Sequence, residues 1–181
     1  MLAAQGAMVV VLAIGPPLFA ADAPDRVFAD ETRDFGVPEQ STIRQGSYAG
    51  GTPRAIPGGR VVTAVELKSM IDGDRKPFLV DVLSGPPHRS VPGSVWMHNG
   101  GLGDFDAAEE QRFLRTIALF TGADRNRSIA FYCSSAECWL SYNAALRAIQ
   151  AGYTSVLWFR GGIAAWQAAG FPTARTEPFP W

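Results

Sequence analysis

The two cysteines of this 181-residue chain are the side chains best suited to covalent chemistry. Cys133 directly follows the apolar segment Ile129–Tyr132, which predicts a buried strand, and the residues from Trp139 onward predict a helix. Unpaired N–H groups at a helix N-terminus stabilise a thiolate and the anions that it binds. Cys133 is therefore the predicted catalytic nucleophile. Its loop is small enough for several N–H groups to converge near the sulfur, and it comprises Ser134, Ser135, Ala136, Glu137 and Cys138.

The role of Cys138 has two interpretations. Close thiols in an oxidising compartment form a disulfide if their Cα atoms lie within about 7 Å, and Cys138 would then be a resolving residue in a redox switch or thiol-exchange site. Alternatively, Cys133 acts alone and Cys138 packs as a small apolar residue; a purely structural Cys133 is the plainest alternative. No metal site or cofactor is predicted, since His88 and His98 lie in Gly/Pro-rich segments where histidines are usually solvated.

Composition and charge exclude several classes of protein. The net charge is −1 and the basic residues are scattered, so nothing predicts nucleic-acid binding. The apolar run over residues 8–14, followed by Ala20, Ala21 and Ala23, predicts a signal peptide over residues 1–23 and export to the periplasm. No basic residue precedes Arg26, so the usual positive segment is missing, and a disordered apolar N-terminus is the alternative. No membrane span is expected after signal cleavage.

The rest of the chain predicts one α/β domain over residues 60–174. Residues 24–59 are rich in Gly and Pro, which indicates an extended arm that lies on the domain or is partly disordered, and residues 175–181 form a tail. From residue 60 onward, strands and helices alternate, which predicts a central parallel sheet with helices on both faces. Ligands of such sheets bind beyond the carboxyl ends of the strands, where Cys133 is expected. Asp81, in an otherwise apolar strand, is predicted to support the site as a buried acceptor for the N–H groups of the Cys133 loop.

Five ordered motifs between residues 61 and 172 resemble the rhodanese (sulfurtransferase-type) family. They lie at residues 63–67, 79–82, 91–94, 131–133 and 152–172. The resemblance implies a single rhodanese-like domain in which Cys133 accepts a sulfane sulfur from a donor such as thiosulfate and passes the sulfur to an acceptor. A small sulfur donor and a thiol acceptor are then the implied partners.

The sequence departs from the family pattern at the cationic positions. Leu83 replaces the usual Arg after the Asp-Val strand, Arg89-Ser90 replaces Gly-His, and Cys138 stands where the loop often has Arg. Arg160 could substitute for these, as could Arg89, but both are expected to be solvated surface charges. Four tryptophans could line a quinone pocket, although a core position is the favoured interpretation: Trp96, Trp139, Trp158 and Trp166.

A narrower resemblance concerns the Cys133…Cys138-Trp139 motif with Ser141 and residues 143–145 after it. It is similar to a subgroup of exported rhodanese-like proteins associated with PQQ-dependent alcohol catabolism and named for a Cys…Cys-Trp motif. This resemblance implies a periplasmic quinoprotein or cytochrome system as partner. Two functions follow as hypotheses. One is an exported sulfur carrier or sulfurtransferase with a Cys133 persulfide, and the other is a non-catalytic or thiol-redox accessory protein of a periplasmic quinoprotein dehydrogenase system.

Overall fold

The computed structural model describes residues 30–181, so the predicted signal peptide lies outside the described residues. The helices are α1 Ala64–Asp72, α2 Ala107–Thr121, α3 Trp139–Gln150 and α4 Gly162–Ala168. The strands are β1 Arg60–Val61, β2 Phe78–Asp81, β3 Arg89–Ser90, β4 Val95–Trp96, β5 Ile129–Tyr132, β6 Val156–Trp158 and β7 Ala174–Arg175. Within these residues, no helix has the length and apolar character needed to cross a membrane.

The main sheet has five parallel strands in the order β1-β6-β5-β2-β4. This confirms the predicted α/β architecture with a central parallel sheet. The sequence did not predict the second sheet, in which β3 and β7 pair antiparallel, because each of these strands has only two residues and too little pattern to detect.

Capping side chains begin two of the helices, and in both cases the three-residue spacing of the capping pair is visible in the sequence. Thr63 and Glu66 form a capping box at α1, and Asp106 and Glu109 form a second one at α2. Each box satisfies backbone N–H groups that the first turn of a helix leaves unpaired. Gly122 ends α2 in the left-handed conformation, which glycine adopts without the steric cost that a side chain would bring.

Two hydrophobic clusters lie on opposite faces of the sheet. The first contains Phe113 of α2 and much of α3, whereas the second contains Leu67 of α1 and Trp166 of α4. Because side chains alternate along a strand, β5 sends Phe131 into the first cluster and Tyr132 into the second. The next residue, Cys133, therefore belongs to the α2–α3 face. The four tryptophans named above are fully buried, which confirms their core position.

The described part of the arm, residues 30–59, lies on the domain and crosses α3. The hydroxyl of Tyr142 donates to the carbonyl of Gln40 at 2.7 Å and accepts from the N–H of Gln40 at 2.8 Å. The side-chain amide of Asn143 makes the same pair of bonds with the backbone of Arg44, both at 2.9 Å. These contacts direct the arm from α3 toward the Cys133 loop.

Candidate active site at the Cys133 loop

Cys133 and Cys138 form a disulfide, with their Cα atoms 6.4 Å apart. Cys133 follows β5, and Cys138 is the residue at which α3 begins. Of the two interpretations of Cys138 that the sequence left open, the structure has the one in which it forms a disulfide with Cys133. No free cysteine exists, since these are the only two in the chain.

Two polar groups contact the sulfur of Cys133. The carbonyl oxygen of Cys138 lies 3.3 Å from Cys133 Sγ, and the hydroxyl oxygen of Ser141 lies 3.2 Å from it. The indole N–H of Trp158, on β6, donates to that hydroxyl oxygen at 3.0 Å. Sequence reasoning gave Ser141 no chemical role and assigned Trp158 to the core or a quinone pocket, although Ser141 follows the Cys133…Cys138-Trp139 motif and lies on the first turn of α3.

The N–H groups of the loop divide into two sets. Those of Glu137, Cys138 and Trp139 are engaged by Ser135 Oγ at 3.2 Å, Ser135 O at 3.1 Å and Tyr48 O at 2.9 Å. They are therefore unavailable to an anion in this state. The N–H groups of Ser134, Ser135 and Ala136 donate no hydrogen bond within the described chain, so these are the groups that could bind an anion.

The arm covers the loop as an additional antiparallel segment. Ala49 pairs with Cys138, and the N–H of Gly50 donates to the carbonyl of Glu137 at 2.9 Å. The hydroxyl of Thr52 donates to the carbonyl of Ala136 at 2.7 Å, and the indole N–H of Trp139 donates to Gly51 O at 3.1 Å. Under this cover Cys133 is 1% exposed and Cys138 is 7% exposed.

One surface cavity, of about 280 Å³, reaches the outer side of the loop. Ser135, Ala136 and Glu137 line it together with Ala164 from α4 and two arm residues, Asp30 and Phe35. The loop and the arm therefore both line a space that a small ligand could enter.

Arg160 is not a solvated surface charge, so that prediction is wrong. The side chain is 1% exposed, and its guanidinium donates to Glu31 O at 2.7 Å, Arg33 O at 2.8 Å and Thr52 O at 3.0 Å. Its Nε donates to the hydroxyl of Thr52 at 3.0 Å. Arg160 thus holds the arm against the end of β6, and Thr52 connects it to the Cys133 loop. Arg89, by contrast, is exposed as predicted and contacts Thr173.

Asp81 does not support the Cys133 loop as predicted. Its carboxylate accepts from the N–H of Leu83 at 2.9 Å, from the ring of His88 at 2.8 Å and from the hydroxyl of Ser90. Asp81 pairs in register with Tyr132, so its side chain lies on the same sheet face as Tyr132, opposite the side chain of Cys133. The carboxylate organises the segment after β2 and makes no contact with the cysteines.

His88 also differs from its predicted solvated state, since its side chain is only 17% exposed. The hydrogen bond that His88 donates to Asp81 raises the pKa of His88 above its ordinary value, and burial only partly opposes this. Burial likewise raises the pKa of Tyr132, whose hydroxyl is hydrogen-bonded to Ser90 at 2.6 Å. These groups form a second polar cluster on the sheet face away from Cys133.

The family model for the rhodanese-like domain matches residues 63–169, which is more than half of the chain. The chain belongs to the rhodanese-like family. A search of curated proteins finds no match. In this rhodanese-like domain the matched region includes both cysteines, and membership of the family suggests a sulfur-related function.

Solved structures are similar to this rhodanese-like domain at low sequence identity. One is a rhodanese-like domain from an Anabaena species, at 22% identity and a TM-score of 0.48, covering 65% of this chain and 78% of that one. Two are variants of EanB, each 20% identical. The complex with hercynine has a TM-score of 0.49, and the match covers 66% of this chain and 32% of the EanB chain. The complex with ergothioneine has a TM-score of 0.50, and the match covers 72% of this chain and 35% of the EanB chain. The chain thus spans about a third of EanB.

Proposed function

We propose that this protein is an exported sulfur carrier or sulfurtransferase in which Cys133 forms a persulfide, and that it serves PQQ-dependent alcohol catabolism. The observation that carries the chemical part is the position of Cys133. It lies at the carboxyl end of a central strand of a rhodanese-like domain, bonded to a second cysteine of the same loop. The subgroup resemblance supports the export and the metabolic association.

The proposed reaction begins with the reduced protein. The thiolate of Cys133 attacks the outer sulfur of a sulfane donor such as thiosulfate; the sulfur–sulfur bond of the donor breaks, and sulfite leaves with the electron pair. The product is a persulfide on Cys133. The N–H groups of Ser134, Ser135 and Ala136, which have no acceptor within the described chain, are suited to its negative charge.

Cys138 offers a route for discharging that sulfur. Its thiolate attacks Sγ of Cys133, the outer sulfur leaves as hydrosulfide, and the observed disulfide is the second product. An external thiol that attacks the outer sulfur instead would take it away and leave Cys133 as a thiolate. A dithiol reductant must return the disulfide to two thiols before the next cycle.

The absence of arginine at these positions of the family pattern favours sulfur donors of low charge. Leu83 and Cys138 occupy positions where the family resemblance places arginines, and the guanidinium of Arg160 is already bonded to the arm. A doubly charged donor would then gain little electrostatic attraction at the loop. Organic persulfides are a better match than thiosulfate in this respect.

The disulfide also favours a second candidate function. A buried cystine in a rhodanese-like fold is suited to a thiol-redox accessory protein of a periplasmic quinoprotein dehydrogenase system, with no sulfur transfer. Cys133 and Cys138 would then exchange only electrons and protons with a partner thiol.

Intact-mass measurement separates the two functions. The reduced mature protein and its Cys133→Ser and Cys138→Ser variants are incubated with thiosulfate or an organic persulfide. Sulfur transfer predicts one added sulfur on Cys138→Ser, none on Cys133→Ser, and hydrosulfide release with a loss of two hydrogen atoms for the unsubstituted chain. If Cys138→Ser gains no sulfur from either donor, the sulfurtransferase proposal fails and the redox function is favoured.

Export and the metabolic association need separate measurements. The mass of the protein recovered from a periplasmic fraction should correspond to cleavage within residues 20–24. A deletion strain should grow poorly on alcohols that need a PQQ enzyme and normally on other carbon sources.

A further inference from the structure

We propose that Ser141 is a catalytic residue whose hydroxyl donates a hydrogen bond to the Cys133 thiolate, and that Trp158 is the positioning residue that aims this hydroxyl. The inference rests on the proposed function only in taking Cys133 as the reactive thiol. It supplies the stabilising group that the missing arginines would otherwise provide. Ser141 is completely buried, and so is Trp158.

The direction of the hydroxyl follows from the donors and acceptors present. An indole N–H can only donate, so the 3.0 Å contact from Trp158 uses an acceptor site of the Ser141 oxygen. The hydroxyl hydrogen must point elsewhere, and the nearest acceptors are Cys133 Sγ at 3.2 Å and Cys138 O at 3.5 Å. A disulfide sulfur carries no hydrogen, so Ser141 is the only group that can donate in the closer contact, and the geometry there suits it to a charged sulfur.

A chain of hydrogen bonds from Trp158 through Ser141 to Cys133 becomes stronger when the sulfur is charged. A hydrogen bond to an ionised acceptor is roughly twice as strong as a neutral one. Polarisation of the hydroxyl by the indole adds to this in a buried site. Both effects favour the thiolate of Cys133 over its thiol, which lowers the pKa of Cys133.

Two features of the site act in the opposite direction. Burial disfavours the charged form of a thiol. The carbonyl of Cys138, at 3.3 Å, would accept a hydrogen bond from a neutral thiol and repel a thiolate. Ser141 opposes the rise in the pKa of Cys133 that these two features would cause, so its removal should have a large effect.

Charged groups on the neighbouring elements lie outside direct contact with the sulfur. Glu137 of the loop is exposed, Arg160 after β6 bonds to the arm, and Arg147 of α3 pairs with Glu110 at 2.8 Å. Asp81 and His88 bond to each other on the opposite face of the sheet. The polar contacts of Cys133 Sγ in the described part of the chain are thus with neutral groups only.

The same hydrogen bond determines which sulfur a reducing thiol attacks. The better-stabilised thiolate is the better leaving group. An incoming thiolate therefore attacks Sγ of Cys138, the disulfide bond breaks, and the electron pair goes to Cys133, where Ser141 receives the charge. A second thiol then attacks the mixed disulfide and releases Cys138. Cys138 is also the slightly more exposed of the two.

The experiment measures the pKa of Cys133 in Cys138→Ser, where no disulfide forms. The ultraviolet absorbance of the thiolate is followed against pH, with the protein lacking both cysteines as the blank. Adding Ser141→Ala should raise the pKa by about 1 to 2 units, the value of one hydrogen bond to a charged group. Trp158→Phe should raise it less, because the hydroxyl remains but loses its orientation.

A matched control removes a buried hydroxyl far from the cysteines. Thr121→Val, on α2, deletes a hydroxyl bonded to Ile117 O at 2.9 Å and should leave the pKa unchanged. Ser141→Thr keeps the hydroxyl and should restore most of the parent value, which a merely structural role would not predict.

An unchanged pKa in folded Ser141→Ala would overturn the inference. If that variant does not fold, Trp158→Phe provides the test, and an unchanged pKa there overturns it equally. Sulfur uptake is measured separately: a shifted pKa without uptake contradicts only the proposed function, and uptake without a shift contradicts only the role of Ser141.

Discussion

Removing the hydroxyl of Thr52 should make the disulfide easier to reduce. The hydroxyl, completely buried, donates to Ala136 O at 2.7 Å and accepts from Arg160 Nε at 3.0 Å, so it joins the arm to the loop and to the guanidinium. Thr52→Val preserves the shape and removes both bonds. Ala136 O keeps a bond from the N–H of Thr52 at 3.2 Å, whereas Arg160 Nε loses its acceptor.

The expected size of the effect follows from that lost acceptor. Leaving a buried charged donor unpaired costs about 2 kcal/mol. If the arm must lift before a reductant reaches the sulfurs, this cost raises the open population, and hence the rate of reduction, about 30-fold. The rate of reduction by a phosphine is measured by quenching with an alkylating reagent and counting the alkyl groups by mass.

The control distinguishes lifting of the arm from global unfolding. Thr121→Val also removes a buried hydroxyl and should lower the free energy of unfolding, but Thr121 lies on α2, away from the arm. If lifting of the arm limits reduction, Thr52→Val accelerates it and Thr121→Val does not. If both accelerate reduction in proportion to their loss of stability, reduction requires global unfolding and the reasoning about the arm is refuted.

Three further predictions concern stability and the loop. Reducing the disulfide, which closes a short loop, should lower the free energy of unfolding by about 2 kcal/mol in urea titrations; an equal stability of both forms would contradict this. Hydrogen bonding to Asp81 raises the pKa of His88, so the stabilisation that protonated His88 contributes is full below pH ~6.5 and is lost as pH rises through the raised pKa. The difference in Tm between the unsubstituted chain and His88→Gln should therefore shrink over that range. Gly162→Ala should displace the loop and slow disulfide formation, since the added Cβ would lie 2.4 Å from Cys133 O. Gly170→Ala is the control, because Gly170 also has a positive φ but faces open space. It should cost only about 1–2 kcal/mol of backbone strain and leave the rate of disulfide formation unchanged.

The order of the elements could be predicted because each one has a local signal. The capping boxes at Thr63 and Asp106 and the apolar segment before Cys133 lie within short stretches of sequence, and the structure has all three. The closing of the disulfide could not be decided in this way. It depends on a Cα separation of 6.4 Å, which the path of the loop determines.

The errors in the predicted site have physical causes that differ from one residue to the next. Arg160 was assigned to the surface because its partners lie in an arm more than a hundred residues earlier, at a separation of 108 positions for Thr52. Asp81 was assigned to the face of the sheet on which Cys133 lies, although the alternation of side chains along a strand places it on the other face. Its register partner is Tyr132, so the residue after Tyr132 must point away from it.

The arm and the disulfide together restrict what can react with Cys133. A free rhodanese-type thiol must meet its donor at the open end of a strand, yet here Ala49 pairs with Cys138, and Thr52 is fixed between Ala136 and Arg160. Access therefore requires two events, lifting of the arm and cleavage of the disulfide. Tyr48 and Gly50 bond to the backbone on either side of Cys138, so a reductant that attacks Cys138 must displace these bonds first. A dithiol partner that displaced the arm would supply both events, because it would expose Cys138, the sulfur that Ser141 makes the preferred target, to attack by its own thiolate.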